Sequence, residues 1–245
     1  MSQTGSTTLT GNLGPASPLP SPKLQNTGLG ALPRQIRADC RFYVALRHPS
    51  GCGSLRSLLS CLRSRGLLVL AAYRLSHYYY ALGPRTSRTP WTIGLRLLIL
   101  VGRTLAIVLA KSDIYHATVI DEGVHLSNDG RQIIGARRIG RGTIIHDSVT
   151  IGFKAGADIT GPMPTVGENV WIGSDCIIYG DITIGDGATI LPETVLSMNV
   201  PARAVVAGNP ARIIAREFDN ASLRHSLGTA VAETQFRQPC APPVG

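Results

Sequence analysis

Residues 166–196, VGENVWIGSDCIIYGDITIGDGATILPETVL, decide the fold because an aliphatic residue returns at every sixth position. The same period also extends towards the N-terminus, as far as residue 114. Its aliphatic positions are Ile114, Ile120, Leu126, Ile133, Ile139, Ile145, Ile151, Val166, Ile172, Ile178, Ile184, Ile190 and Leu196. Each unit of six forms one short strand and one tight turn, and three units make one coil of a triangular prism. Neighbouring coils pair through backbone hydrogen bonds about 4.8 Å apart. The period predicts a parallel β-helix over residues 113–214.

Two interruptions break the period. One extra residue lies between Leu126 and Ile133, and nine extra residues lie between Ile151 and Val166. Insertions in repeat proteins collect on the face that binds ligands. We therefore expect binding to occur beside these insertions.

The chain before the repeat divides into an arm and a helical segment. Residues 1–34 are rich in Ser, Thr, Gly and Pro, a composition that forms no core, and are predicted to be a disordered arm. Residues 35–112 carry apolar residues at helical spacing and are predicted to form a basic helical domain. Residues 215–245 follow the repeat as a C-terminal tail. The predicted fold class is α+β, a helical segment followed by a β-helix.

The most apolar of the predicted helices, residues 91–110, is long enough to cross a bilayer. Arg96 and Arg103 interrupt it seven residues apart, which places both on one helical face. The pattern favours an amphipathic helix, packed on its own domain or lying on a membrane surface, over a spanning one.

Charge is concentrated in the helical segment. Between Arg34 and Lys111 there are thirteen Lys or Arg residues and one acid, Asp39, whereas residues 112–245 hold ten bases and fourteen acids. A basic segment of this kind suits an anionic partner such as lipid headgroups, an acidic polymer or nucleic acid. A solvated basic helix face is the alternative.

The cysteines indicate neither a disulfide framework nor a zinc site. Their number is odd, and no CxxC pair or His at ligand spacing accompanies them; they are Cys40, Cys52, Cys61, Cys176 and Cys240. No basic region followed by an apolar one marks a secretory signal near the start. We expect a cytoplasmic protein with reduced thiols and no metal.

From Asp39 to Ile214 the chain resembles serine O-acetyltransferases and related polysaccharide-type acetyltransferases of the hexapeptide-repeat family. The segments that carry the resemblance are IRADCRFYVALRHP (36–49), GLLVLAAYRLSHYYY (66–80), SDIYHATVIDEGVHL (112–126), SVTIG (148–152) and AGNPARI (207–213). The resemblance implies a left-handed coil and acetyl-CoA as the acyl donor. It also implies a homotrimer or a dimer of trimers, with the active site between adjacent prisms.

The residues that the family uses as bases are replaced here. In the serine enzymes a His that follows an Asp deprotonates the acceptor hydroxyl, and a second His lies in the long loop. Alignment places Ser127 and Asn128 at the first pair of positions and Met163 at the position of the loop His. The carboxylate that would bind the ammonium group of serine falls near Leu55, with no acid nearby. These replacements argue against L-serine as the acceptor.

His146 is the leading candidate to replace the missing base. Counting turns stacks the corner after Leu126 on the corner after Ile145, so that Ser127 lies near His146 and Asn128 near Asp147. A His with a pKa near neutrality can take the acceptor proton, and an adjacent acid can stabilise the imidazolium. The candidate catalytic residues are His146, Asp147, Asn128 and His125, and a site without any base is the alternative.

Two further histidines are expected to have other roles. His77 corresponds to a family residue that packs within the helical domain and is expected to be structural. His116 begins the coil and is expected at the surface.

The candidate cofactor-binding residues follow the same corner along the prism. In the family, pantetheine runs along a turn of small residues, which Gly173 and Ser174 match, and Pro192 belongs to the same set. Arg212 closes the coil, where it could meet a phosphate of acetyl-CoA. The alternative for Gly173 is that it only permits a tight turn.

The predicted function is acetyl-CoA-dependent O-acetylation of a sugar or polysaccharide-precursor hydroxyl, with a small molecule or glycan as the acceptor. The alternatives are a serine O-acetyltransferase with a rearranged site and a catalytically inactive trimeric scaffold. The basic helices are compatible with peripheral contact at the inner face of an anionic membrane. No nucleic-acid partner is expected.

Overall fold

The computed structural model describes residues 31–47, 64–81, 90–127, 131–153 and 161–225. Three helices precede the repeat: α1 (Ala31–Arg47), α2 (Arg65–Ala81) and α3 (Pro90–Ala110). Helix α1 begins four residues before the predicted boundary at residue 35. Pro33 lies in its first turn, where proline is tolerated because the N–H groups there have no partner within the helix. Residues 1–30 of the predicted arm and part of the predicted helical domain, including Leu55, lie outside the described residues.

Residues 113–215 form fifteen short strands. Their bounds are β1 Asp113–Ile114, β2 Val119–Ile120, β3 His125–Leu126, β4 Ile133–Ile134, β5 Arg138–Ile139, β6 Ile144–Ile145, β7 Thr150–Gly152, β8 Thr165–Val166, β9 Trp171–Ile172, β10 Ile177–Tyr179, β11 Thr183–Ile184, β12 Thr189–Ile190, β13 Val195–Leu196, β14 Val205–Ala207 and β15 Arg212–Ala215. They stack into three sheets that form the faces of a prism. Face A has the order β1-β4-β7-β10-β13, face B β11-β8-β5-β2, and face C β15-β14-β12-β9-β6-β3.

The pairing confirms the predicted parallel β-helix. From β1 to β13, strands of a face pair in parallel with strands three positions along the chain, as Ile145 does with Ile172, so that one coil contains three strands. Strand β12 pairs in parallel with β14, two positions along, because the last coil has only the isolated bridge between Ile184 and Val200 on face B. The last pair is an exception, because β15 runs antiparallel to β14. The predicted end at residue 214 falls inside β15, which ends at Ala215.

One predicted member of the internal ladder is wrong. Ile134, not Ile133, pairs with Ile114; Ile134 is 1% exposed, whereas Ile133 is 37% exposed. The first interruption is therefore two residues long, and the following unit is one residue short. The shift turns Gln132 inward, where its amide is buried and donates a hydrogen bond to the carbonyl oxygen of His146 at 3.1 Å.

Helices α1 and α2 close the open end of the prism. The Tyr43 hydroxyl donates to the carbonyl oxygen of Leu126 and accepts from its N–H, both at 2.8 Å. Gly66 of α2 lies directly against this strand, because a Cβ built there would meet the oxygen of Leu126 at 2.0 Å. The close approach of α2 to the first coil thus requires glycine.

A buried ion pair ties both helices to the coil. Arg74 Nε of α2 donates to Asp39 Oδ2 of α1 at 3.1 Å, and both side chains are almost fully buried. The same carboxylate accepts from the N–H of Gly123 at 2.8 Å, and Arg74 also donates to the carbonyl oxygens of Ile120 and Asp121. All members of the network therefore have partners, as a buried charge requires.

The residues after β15 cross the outer side of face C. The Asn220 amide donates to the carbonyl oxygens of Asn169 and Gly187 at 3.0 and 3.1 Å, and Leu223 is 2% exposed. Leu223 belongs to a short helix, α4 (Ala221–His225). The first part of the predicted tail is thus ordered against the prism, and residues 226–245 lie outside the described residues.

Helix α3 presents an apolar surface. The exposed side chains are Ile93, Leu97, Leu98, Leu100, Val101 and Val108, which are between 47% and 65% exposed. Among the described residues, no helix combines the length and the apolar character needed to cross a membrane.

The register of β4 can be tested by two neighbouring substitutions. Ile134→Ala should lower the free energy of unfolding by about 2–4 kcal/mol, because it opens a cavity in the ladder. Ile133→Ala, the matched control, should cost less than about 1 kcal/mol because its side chain is already partly solvated. Urea unfolding followed by circular dichroism measures both values, and equal costs would contradict the register.

Candidate active site

The corner that follows face C organises the candidate residues. Its first residues, one from each coil, are Ser127, His146, Gly173, Leu191 and Ala207, and we call this column the C-corner. Ser127 N–H donates to Ile145 O at 2.9 Å, and His146 N–H donates to Ile172 O at 3.0 Å. The stacking of these corners, predicted by counting turns, is therefore confirmed.

His146 is buried against an aromatic ring. Its side chain is 5% exposed, and its imidazole centroid lies 4.8 Å from a ring centroid of Trp171, with the planes inclined at 54°. Neither His146 Nε2 nor Trp171 Nε1 has a hydrogen-bond partner among the described residues. Two neighbouring buried rings thus each carry a nitrogen without a hydrogen-bond partner among the described residues, which is costly in a folded protein and consistent with a functional role.

Burial sets the charge of the imidazole. Loss of solvent lowers the pKa of His146 from its ordinary value of 6.5, and the charge of Asp147 partly opposes this shift. His146 is therefore neutral at pH 7 and able to accept a proton. Asp147 is half-buried, and its Oδ1 has no partner among the described residues.

Gln132 and Trp171 were not found by the sequence analysis. The Gln132 amide donates to His146 O at 3.1 Å and to Ser127 O at 3.5 Å, and so braces two stacked corners. The sequence analysis missed this role because it placed Ile133 in the internal ladder. Neighbouring residues of a strand point to opposite sides, so that register directed the side chain of Gln132 outward. Trp171 did carry a signal: it precedes the inward Ile172, so its large apolar ring faces outward and has to be covered.

The other described histidines do not belong to this column. His125 is 4% exposed, and its ring lies 4.4 Å from the ring of Tyr43 on α1. It therefore packs between helix α1 and the coil and is as deeply buried as His146. His77 stacks on Tyr73 at 5.5 Å, and burial is the main cause that lowers its pKa. His116 is exposed, as predicted, and Asn128 lies outside the described residues.

Three of the four predicted cofactor residues lie together at the C-corner. A Cβ on Gly173 would meet the backbone nitrogen of Pro192 at 2.6 Å, so the stacking of these corners requires glycine there. Ser174 O accepts from the N–H of Glu193 at 2.9 Å, while the Pro192 ring is exposed. The column, with the exposed Pro192 beside it, offers an edge along which an extended ligand could lie.

Arg212 lies at the far end of the same column. It is exposed on β15 and pairs in register with Ala207, the last residue of the C-corner. Its guanidinium is thus placed where a phosphate could be bound at the end of a ligand that follows the column.

Comparison with known proteins identifies the repeat. Residues 163–197 match the family model described as bacterial transferase hexapeptide (six repeats). The chain is 31% identical over 179 residues to serine acetyltransferase 2 of Arabidopsis thaliana, which covers 71% of this chain and 55% of that protein. It is 45% identical over 58 residues to chloramphenicol acetyltransferase of Agrobacterium fabrum, which covers 24% of this chain and 28% of that protein. The chain spans about half the length of the serine acetyltransferases that it matches.

Solved structures share the fold. Soybean serine acetyltransferase complexed with serine superposes with a TM-score of 0.58 at 27% identity, covering 75% of this chain and 69% of that one. Serine acetyltransferase from Brucella abortus in complex with coenzyme A gives a TM-score of 0.59 at 21% identity, covering 75% of this chain and 68% of that one. The fold is thus the left-handed parallel β-helix with an N-terminal helical region.

The buried state of His146 predicts a pH dependence of stability. Because its folded pKa lies below 6.5, the unfolded chain binds more protons just below that pH. The contribution of neutral His146 to the free energy of unfolding is complete above pH 6.5. It is lost as the pH falls through the lowered pKa of the folded state. The slope is at most about 1.4 kcal/mol per pH unit for one histidine.

Urea unfolding of the wild type and of His146→Gln between pH 5 and 7.5 measures this effect. The variant should show a shallower slope, and His77, whose pKa is lowered as well, should contribute part of what remains. Identical slopes would contradict a buried neutral His146.

Proposed function

The chain is a hexapeptide-repeat protein of the serine O-acetyltransferase-like branch, and from this premise we propose that it is an acetyl-CoA-dependent O-acetyltransferase. The observation that carries the proposal is the sequence likeness to a serine acetyltransferase along 71% of the chain. The structure of a neighbour in complex with coenzyme A supports the donor. Acetyl-CoA is a co-substrate in this proposal, and no metal is involved.

In the proposed reaction His146 acts as the general base. Its Nε2 accepts the proton of the acceptor hydroxyl while the hydroxyl oxygen attacks the thioester carbonyl. The tetrahedral intermediate then expels the thiolate of coenzyme A, which receives the proton back from His146. The charge of Asp147 favours the imidazolium during this cycle.

The burial of His146 adds a requirement. Nε2 is not accessible in the described conformation, so contact with an acceptor requires a displacement of Trp171 or of the corner itself. Trp171 thus acts as a positioning residue that keeps water from the ring. Gly173, Ser174, Pro192 and Arg212 are proposed to hold acetyl-CoA along the C-corner.

L-serine is the first acceptor to test, because the relatives that match most of the chain are serine acetyltransferases. A sugar or polysaccharide-precursor hydroxyl is the second candidate. One observation favours an acceptor other than serine: Ser127 and the buried Met163 stand where the family places acid–base residues. One relative, a chloramphenicol acetyltransferase, is also named for an acceptor other than serine. Both candidate acceptors present a hydroxyl group to the acetyl donor.

Assembly and location follow from the same resemblance. We infer a homotrimer or a dimer of trimers and a cytoplasmic location. The apolar surface of α3 and the net charge of +9 support an additional peripheral contact with anionic membrane. Sedimentation in the ultracentrifuge tests the assembly, and a monomer at micromolar concentration would contradict it.

The choice of acceptor is tested by thiol release from acetyl-CoA. The purified full chain should turn over with a hydroxyl acceptor in a panel of L-serine, nucleotide sugars and short oligosaccharides. The acceptor that supports turnover decides between the two candidates. Absence of turnover together with absence of acetyl-CoA binding would overturn the proposed activity in favour of an inactive scaffold.

The role of His146 is tested by His146→Ala, which should lower the rate of acetyl transfer by about 10²–10⁴-fold. The matched control is His116→Ala, which removes an exposed imidazole and should leave the rate within about twofold of wild type. Sedimentation of both variants checks that the assembly is intact. An unchanged rate in His146→Ala would exclude it as the base.

A further inference from the structure

A basic groove lies on helix α1, on the side away from the buried ion pair. Its volume is about 610 Å³, and its walls are formed by Pro33, Arg34, Arg37, Ala38, Arg41 and Glu122. Glu122 belongs to the corner after β2, so the groove lies between α1 and the first coil. Its size is within the range of small-molecule sites.

The three arginines share one face of the helix. Arg34, Arg37 and Arg41 are spaced by three and four residues, which places their side chains in one row. All three are exposed, although like charges in such a row repel one another. A row of this kind is stabilised by an anion that bridges its members.

The charge of the groove is largely uncompensated. Glu122 is the only acid in its walls, and its Oε2 lies 3.7 Å from Arg34 Nε, in a pair whose arginine is 69% exposed. Arg37 and Arg41 form no ion pair with any described carboxylate. Asp39, the one acid of α1, is buried on the other face and belongs to Arg74.

The helix that carries the arginines is held in place. Asp39 accepts from Gly123 N–H, and Tyr43 bonds to Leu126, so two residues on the inner face of α1 attach it to the coil. The arginine row is therefore presented by a fixed backbone. Fixed groups lose less freedom on binding than mobile ones do, which favours affinity.

We propose that this groove binds a phosphate-bearing ligand, with the guanidinium groups of Arg37 and Arg41 on two neighbouring phosphate groups. Arginine presents a planar fork of donors that matches the oxygens of a phosphate in pairs. Residues four apart on a helix are separated by about 6 Å along its axis, and the long arginine side chains can converge from there on two neighbouring phosphate groups. Strand β3 separates the groove from the C-corner, so this site is distinct from the one proposed for acetyl transfer.

The test is calorimetric titration of the full chain with inorganic pyrophosphate at low ionic strength. The wild type should bind, and Arg37→Gln combined with Arg41→Gln should weaken binding at least tenfold. Arg137→Gln, which removes an exposed arginine of the prism, is the control for net charge and should stay within twofold. Glu122→Gln should tighten binding, because it removes the one carboxylate that competes for the groove.

The source of the phosphate is distinguished by two further arms. A nucleoside diphosphate represents a soluble ligand, and vesicles with phosphatidylglycerol in phosphatidylcholine represent a lipid headgroup. The ligand that represents the natural source of the phosphate should bind to the wild type and to Arg137→Gln but not to the double variant. Failure of the wild type to bind pyrophosphate, or equal binding by the double variant, would overturn the proposal. Since the readout is binding, this result is independent of acetyl transfer.

Discussion

The free backbone edge of the first coil is the constraint on which the rest of the structure depends. Within the prism each strand finds hydrogen-bond partners in the coils before and after it, but β1, β2 and β3 have no preceding coil. Buried backbone groups without partners are costly. Tyr43 and Arg74 supply partners for Leu126 and for the carbonyl of Asp121, and Asp39 accepts from Gly123. The helical segment is thus needed to terminate the prism, and its attachment places one face of α1 towards solvent.

The candidate site depends on how the outer side of face C is covered. Ile144, Trp171 and Val205 face outward from their strands and would be exposed on a bare prism. They are buried instead, in a cluster with Leu191 of the C-corner and Leu223 of α4. This covering removes water from His146, and the loss of solvent is the main cause of its lowered pKa. The packing that stabilises the outer face therefore also determines the protonation state of the proposed base.

The likeness to serine acetyltransferases is a likeness of the β-helix scaffold before it is one of the side chains at the site. A β-helix presents its corners as a regular column, and the chemistry of the column is decided by the side chain at each corner. Here the column carries His146, Gly173 and Leu191, and the ring of Trp171 packs against His146. The scaffold can thus be retained while the base and the acceptor contacts change. The groove on α1 adds a second surface whose charge is independent of that column.

The six-residue period determined the β-helix because the geometry of the coil repeats locally, and an inward aliphatic is required in each strand. It also determined the stacking of His146 on the corner of Ser127, since counting whole turns is sufficient for that. It selected Ile133, six residues before Ile139, over the chemically identical Ile134, and this was wrong; only the pairing with Ile114 places Ile134 in the ladder. The contacts of His146 with Trp171 and Gln132 join residues 25 and 14 positions apart, and the groove joins α1 to Glu122. Such contacts depend on how distant segments pack, which no local pattern encodes.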